Sequence, residues 1–521
     1  MRGFRRESSV AVIVFCLALF VPVIYSYQSY AAAPAPRYGG TLRLSDLSDG
    51  VSIGYPPKLV RIYANRAAAP AIETLFRFDK TGRPVPYLVS SFKEEAKKMT
   101  LTLTLRKGIK FHDGTDFDAE AVKWNLEQCQ SAKTAGTEKF KSIDVINQNT
   151  VRINLTEWDN TVPSNLALTI GMMISPAAYK KNGEEWCMKN PVGTGPFQFV
   201  SWDKDTRTVY KKFPGYWQKG KPYLDGIIWM PILDNFTRTA SLRAGETDLI
   251  LFTTGQGVAE LEKDGFPVTR QRVGSGTISI TFDSANPNSP FAKLKVRQAA
   301  QYAIDGAGLN KAIYFGEVET ANQWTYKGHW AYNPTIKGYP YDPARAKKLL
   351  AEAGYPNGFK TKLTHLTSPD NDKLYTAVQG YLQAAGIDAQ LEPVQSGRYD
   401  TIYVQGAGWD GIVEVSPASA NPDLTSVMAS RYHKGTKNYS QMLLPDDFLK
   451  AVQDSIMAKD FNSKKKSIQE ALKLMSDKYC LNAFLVGRGQ FAISKPTVHD
   501  HGFMATPGAG QWTPELTWME Q

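Results

Sequence analysis

The chain has 521 residues, 42% of them apolar and 12% aromatic, and a formal net charge of +11. That composition excludes a disordered or fibrous chain, and at ~150 residues per domain the length divides into roughly three units. The basic surplus reads as solvated surface, and no nucleic-acid partner is expected.

In chain order, Arg2, Arg5 and Arg6 precede an apolar run from Val10 to Tyr25, followed by Ala31, Ala32 and Ala33. Basic, apolar and small in that order mark a cleaved secretory signal peptide over 1–33, and the apolar run is short of the ~20 residues a membrane span needs. An uncleaved anchor is the competing reading. Removing Arg2, Arg5, Arg6 and Glu7 leaves the exported part with about +9. Without a second apolar span, this part is expected to be soluble and periplasmic. It keeps Cys129, Cys187 and Cys480, an odd number with no short spacing. That excludes a disulfide framework and any CxxC metal site, while one bridge, Cys129 to Cys187, is permitted but not demanded.

From Lys98 to Phe111, Leu101, Leu103 and Leu105 alternate with Thr102 and Thr104, which predicts a half-buried strand ending at Lys107-Gly108. Asp113-Gly114 then turns the chain and Asp118 caps a helix whose Ala119, Val122, Leu126 and Cys129 share one face. A strand is expected at Thr150 to Leu155. In NPVGTGPF (190–197), Pro191 and Pro196 fix φ and Gly193 and Gly195 open access to positive φ, so Val192 to Pro196 reads as an irregular turn leading into a strand. Asp342-Pro343 opens a helix that buries Ala346, Leu349, Leu350 and Ala353 and stops at Gly354. Residues 360–366, 372–385 and 387–394 spell strand, helix, strand, a unit that pairs its strands in parallel through a right-handed crossover. Amphipathic helices are predicted over 445–459 and 463–479.

Motifs for catalysis are missing. GAGWDG (406–411) matches the dinucleotide fingerprint, but IVEVSP follows where a phosphate-holding helix is required. There is no HExxH, GxSxG or phosphate-binding loop. Of six histidines only His499 and His501 lie close together, and two ligands alone make a poor metal site.

Four stretches, FHDGTDFDAEAV (111–122), NPVGTGPF (190–197), KVRQAAQYAID (295–305) and YDPARAKKLLAEAGYP (341–356), follow one another at these intervals. Together they make the whole mature chain resemble the extracellular solute-binding proteins of ABC importers, the family of dipeptide-, oligopeptide- and nickel-binding proteins. The resemblance implies an α/β, two-lobed periplasmic-binding-protein type II fold with an additional subdomain in the first lobe. Lobe I would comprise 34–75, 190–271 and 494–521, the extra subdomain 76–189, and lobe II 272–493, with the turn at 190–197 as an architectural junction. A peptide-like or other small polar ligand would be clamped between hinged lobes and delivered to a membrane permease by a monomer, without cofactor or catalysis. The competing classes are a secreted hydrolase of oligosaccharides or peptides and, within the binding class, a nickel or metal-chelate carrier.

The resemblance also implies site residues. Gly408 and Trp409 match a glycine and tryptophan that open the ligand stretch of peptide-binding relatives, whereas Ile412 stands where an aspartate would pair with the peptide's amino terminus. Asp410 or Glu414 would have to substitute, because an unpaired buried ammonium is strongly unfavourable. Trp324, Trp330 and Trp409 would wall a cleft, with core packing as their competing role. Ser45, Asp46 and Asp49, at the end of the first strand TLRLS, line the cleft or form a turn. Arg66 would grip an anionic group bidentately, or lie exposed.

Overall fold

The structure, a computed structural model, describes residues 35–59, 62–271, 276–415, 421–504, 506 and 511–520. It divides into two units, Met1–Pro36 and Arg37–Gln521, and everything below concerns the second. The predicted signal peptide therefore lies outside the described residues. Among those residues no helix is long and apolar enough to cross a membrane.

Three sheets organise the second unit. A seven-stranded sheet runs in the order Val268–Arg270, Phe491–Ser494, Leu249–Leu251, Thr41–Asp46, Gly226–Pro231, Arg207–Lys212, Phe197–Asp203. Its centre is parallel, because Thr41–Asp46 pairs in parallel with both Gly226–Pro231 and Leu249–Leu251. A five-stranded sheet has the order Ile387–Val394, Phe359–Leu366, Ile412–Val415, Thr277–Phe282, Asn482–Gly487, and its first three strands are parallel. The third sheet, four-stranded and wholly antiparallel, is built from Val89–Glu95, Thr100–Leu105, Thr150–Leu155 and Phe140–Asn147. Helix Ala119–Ser131 packs against it.

The sequence patterns explain these elements locally. In Thr100–Leu105 the three leucines are buried and Thr104 is exposed. Asp118 accepts a hydrogen bond from Ala121 N at 3.0 Å and so starts its helix, which buries Ala119, Val122, Leu126 and Cys129. The unit Phe359–Leu366, Pro369–Ala385, Ile387–Val394 is strand, helix, strand with parallel pairing, and Gly386 ends the helix at φ 108°. Its helix begins three residues before the predicted start because Ser368 accepts from Asn371 N at 3.2 Å and Pro369 supplies the first helical φ. The long helix near the C-terminus is α-helical over Phe461–Lys473 and continues as a single π turn over Leu474–Lys478. The fingerprint at 406–411 leads into strand Ile412–Val415, not into a helix. Cys129, Cys187 and Cys480 are all free and buried, and burial pushes their thiols up to about 12, 11 and 12.

The chain passes between the two large sheets twice, between Arg270 and Thr277 and between Gly487 and Phe491. Gln271 N donates to Gln490 O at 2.9 Å and Arg488 N to Gly276 O at 3.2 Å, so the two crossings are tied to each other. The predicted crossing residue Arg272 itself lies outside the described residues.

The turn at 190–197 is held more tightly than its composition suggests. Neither Gly193 nor Gly195 has positive φ. A Cβ on Gly193 would lie 2.1 Å from the Ala71 carbonyl oxygen, and one on Gly195 2.5 Å from that of Pro70. Close backbone approach, not left-handed conformation, is therefore what demands glycine here. Gly195 N donates to Ala71 O at 3.0 Å, Phe197 N to Pro70 O at 2.9 Å and His112 N to Gly193 O at 2.9 Å. Gly193→Ala is expected to cost about 1–3 kcal/mol as an overpacked site and to lower the melting temperature by several degrees, measurable by calorimetry. An unchanged melting temperature would mean that residues 70–72 yield without cost.

Candidate ligand cleft

In open sheets with parallel centres, ligands lie beyond the carboxyl ends of the strands, where the connecting loops gather. The carboxyl rim of the seven-stranded sheet carries a buried charged cluster. Strand Thr41–Asp46 buries Leu42 and Leu44 in the core and ends on Asp46, which is fully buried. Asp46 Oδ2 accepts from Arg66 Nε at 2.8 Å and lies 2.7 Å from Arg66 Nη2 as an ion pair, and its Oδ1 accepts from Leu47 N at 2.7 Å. Arg66, from helix Ile62–Ala68, is itself 1% exposed and lies 4.4 Å over the Phe252 ring. Arg238, equally buried, donates to the carbonyls of Ile232 and Phe252 and to Asn235 Oδ1. The predicted anion grip of Arg66 is thus directed at Asp46. Ser45 is buried beside it, whereas Asp49 accepts from Trp202 Nε1 at 2.5 Å and Asp205 N at 3.1 Å.

On the five-stranded sheet the corresponding rim holds Glu414. Its neighbours in Ile412–Val415 divide between two apolar clusters, Ile412 on one side and Val413 and Val415 on the other. Glu414 is buried, and its Oε2 accepts from Leu366 N at 2.9 Å and Asn371 Nδ2 at 3.2 Å. Burial pushes its carboxyl up to about 7, against the pull of the Leu366 amide, the Arg488 charge and Asn371. Tyr399 donates its hydroxyl to the Glu414 carbonyl oxygen at 3.2 Å and lies 3.2 Å from the Tyr439 hydroxyl.

The other predicted residues fall elsewhere. Gly408 and Asp410 are exposed ahead of the strand, at its amino end, and Asp410 pairs with Lys362 at 3.2 Å. Trp324, Trp330 and Trp409 are all buried in one apolar cluster with Ile468, Leu472 and Met475. Trp324 packs on Tyr432 with ring centroids 5.4 Å apart. The structure therefore brings Asp46 to Arg66, groups the three tryptophans, and keeps Gly408 and Asp410 apart from the rim that Glu414 occupies. Arg238 and Asn371 went unread in the sequence. One is an arginine in an ordinary amphipathic helix, the other a polar residue in a helix start that would exist without it.

His499 stacks on Trp518 with centroids 4.1 Å apart, and its Nε2 lies 3.0 Å from Glu520 Oε1; burial holds His501 down at about 4. Among the described residues no three His, Cys, Asp or Glu side chains gather as a metal site would require.

The raised Glu414 carboxyl has a sign that can be checked. Its folded pKa of about 7 exceeds the ordinary 4.5, so its contribution to stability is full below pH 4.5 and is lost as pH rises to 7. Glu414→Gln is expected to abolish up to about 3 kcal/mol of that pH dependence and to leave the variant the more stable one at pH 8, by denaturant unfolding. Parallel pH profiles for the two proteins would contradict it.

A family model described as bacterial extracellular solute-binding proteins, family 5 middle, matches residues 83–439. The chain belongs to this family. Among curated relatives, the family 5 chain is 36% identical over 334 residues to the glutathione-binding protein GsiB of Pectobacterium atrosepticum. That alignment covers 62% of this chain and 63% of the relative, so it spans less than two thirds of the relative's own length. Among solved structures, DppA of Helicobacter pylori in complex with the peptide STSA matches with a TM-score of 0.75 at 24% identity, over 93% of this chain and 99% of that one. HbpA2 of Haemophilus parasuis matches with a TM-score of 0.81 at 20% identity, over 92% of this chain and all of that one. These likenesses are of fold, and the fold is the expected two-lobed type II architecture with an additional subdomain.

Proposed function

We propose that this family 5 protein is the substrate-binding component of an ABC importer, capturing a peptide-like solute in the periplasm and handing it unaltered to a membrane permease. The observation that carries the reading is the family match over 83–439. The names of the relatives, a glutathione-binding protein and a binding protein holding the peptide STSA, support the ligand class. We divide the chain as the sheets suggest: lobe I from 34–75, 190–271 and the strand Phe491–Ser494 onward, the subdomain from 76–189, and lobe II between the two crossings. The protein acts as a monomer and leaves its signal peptide behind.

Within the cleft, Glu414 is the residue we assign to a ligand ammonium. It is the buried acid at the rim of the second sheet, two positions beyond the place where Ile412 replaces the expected aspartate, while Asp410 already has Lys362. On the facing lobe Asp46 and Arg66 satisfy each other, so they shape the wall and contribute little net charge. A ligand ammonium would favour the ionised Glu414, and binding would release a proton and tighten as pH rises through 7.

The test is a panel of reduced glutathione, Met-Leu, a Ser-Thr-Ser-Ala tetrapeptide and nickel–histidine, followed by melting temperature and calorimetry. A ligand at 100 times its Kd stabilises by about 2.7 kcal/mol, a shift of several degrees. The bound solute is expected to be recovered chemically intact by mass spectrometry; recovery of cleaved product in excess of the protein would overturn the reading.

A further inference from the structure

The lobe partition proposed above leaves the four-stranded subdomain touching two bodies at once. Toward the first lobe its ties are dense: His112 N to Gly193 O in the glycine turn at 2.9 Å, Arg77 to Glu515 at 2.6 Å, Asn65 Nδ2 to Thr169 Oγ1 at 2.8 Å, and Gln511 Nε2 to the Ala167 carbonyl at 3.1 Å. The subdomain therefore travels with the first lobe. Any rotation about the two crossings moves the second lobe past it.

Its contacts with the second lobe are of another kind. Helix Asp446–Met457 has no glycine at its end, and its last carbonyls lack intrahelical partners, as at any helix C-terminus. The subdomain supplies donors to them. Asn160 Nδ2 donates to Ser455 O at 2.7 Å and to Ala458 O at 3.0 Å, Asn160 N to Ile456 O at 3.2 Å, and Trp158 Nε1 to Ala458 O at 3.0 Å. Alongside, Ser164 Oγ donates to Asp423 Oδ2 at 2.6 Å, and Lys464 Nζ bridges Asp423 at 2.5 Å and the Asn160 carbonyl at 3.3 Å. Arg83 lies 3.9 Å over the Phe461 ring. Asp423 begins helix Leu424–Ala429, three residues after the segment that leaves the carboxyl end of strand Ile412–Val415, the rim that carries Glu414.

We infer that residues 158–164 are a reversible clasp: the subdomain caps the end of helix Asp446–Met457 when the lobes are closed and releases it when they open. The chemistry suits reversibility. Every carbonyl freed on opening meets water, and Asp423 keeps Lys464 as its partner in both states, since both belong to the second lobe. The exchange of protein for water partners makes each bond worth little net, and the packing is incomplete, with a cavity of about 120 Å³ left between Phe92, Trp158, Trp330 and Phe461. Such a patch biases an equilibrium without locking it.

The experiment needs no ligand. Small-angle scattering is measured on the exported protein, on Asn160→Ala/Ser164→Ala, and on Asn160→Cys/Ala458→Cys oxidised and reduced, with Arg270→Ala as comparison because it removes the 2.6 Å ion pair to Glu317 beside a crossing. The alanine pair is expected to shift the open-to-closed ratio on the order of tenfold toward open, read as a larger radius of gyration, and oxidation of the cysteine pair to give the most compact profile. If the alanine pair scatters as the parent does and oxidation changes nothing while Arg270→Ala expands the molecule, the lobes move and the clasp is wrong. Identical profiles for every variant would reject lobe motion itself, and the clasp with it.

Discussion

Asp46→Ala is expected to lower the free energy of unfolding by about 3–5 kcal/mol, because it removes the carboxylate that the buried Arg66 guanidinium faces. Arg66 is 1% exposed, and both of its contacts with Asp46 are under 3 Å. Asp46 also fixes the start of the next loop through Leu47 N, so the truncation orphans an amide as well. Asp46→Asn, which keeps an acceptor for Leu47 N, is expected to cost less than alanine. The double variant Asp46→Leu/Arg66→Met removes both charges and is expected to recover most of the loss, since a buried pair exchanged for apolar groups is often neutral. Denaturant unfolding of the four proteins checks this order. A single alanine variant within 1 kcal/mol of the parent would show that water reaches Arg66 and that the rim is wetter than its burial implies.

How far the sequence reached depended on the range of the interaction. Periodic apolar positions, such as Leu101, Leu103 and Leu105, and the start and stop signals at Asp118 and Gly386, act within a few residues, and those elements lie where the pattern puts them. The glycine turn was legible as a special place but not for its true reason: the constraint comes from the carbonyls of Pro70 and Ala71, more than a hundred residues away. The cleft suffered most. An aromatic residue has the same signature in a core as in a ligand wall, and Trp324 and Trp409 are packed among Leu472 and Met475. Arg66 looked free because its partner, twenty residues earlier, meets it only after a helix folds back against the strand end. Glu414 could be suspected, as a lone acid in an apolar strand, whereas Arg238 carried no such contrast.

Glu73→Ala is expected to be as damaging as the loss of Asp46, about 3–6 kcal/mol, and to act at the root of the subdomain. The Glu73 carboxylate, buried with burial holding its carboxyl above the usual range, accepts from Thr194 Oγ1 at 2.8 Å, Tyr216 Oη at 2.7 Å and Trp217 Nε1 at 2.9 Å, and from the Tyr87 hydroxyl. Alanine orphans several buried donors at about 1–3 kcal/mol each, less than additively. Glutamine is the informative comparison. Its oxygen keeps both tyrosines and its amide donates to the Thr194 hydroxyl, leaving only the Trp217 indole unpartnered, so Glu73→Gln is expected to cost about 1–3 kcal/mol. Because the raised carboxyl favours the protonated form, the parent loses part of this contribution as pH rises above 4.5, and the glutamine variant does not. The Tyr87 bond ties the subdomain to the first lobe, and the others hold together the two stretches, at Glu73 and at Thr194 to Trp217, between which the chain enters and leaves it. Cutting them should therefore uncouple it, and calorimetry of Glu73→Ala is expected to show a separate low-temperature transition that the parent lacks. A single transition shifted as a whole would mean that the remaining ties, Arg77 to Glu515, Asn65 to Thr169 and Gln511 to the Ala167 carbonyl, keep the subdomain on its lobe.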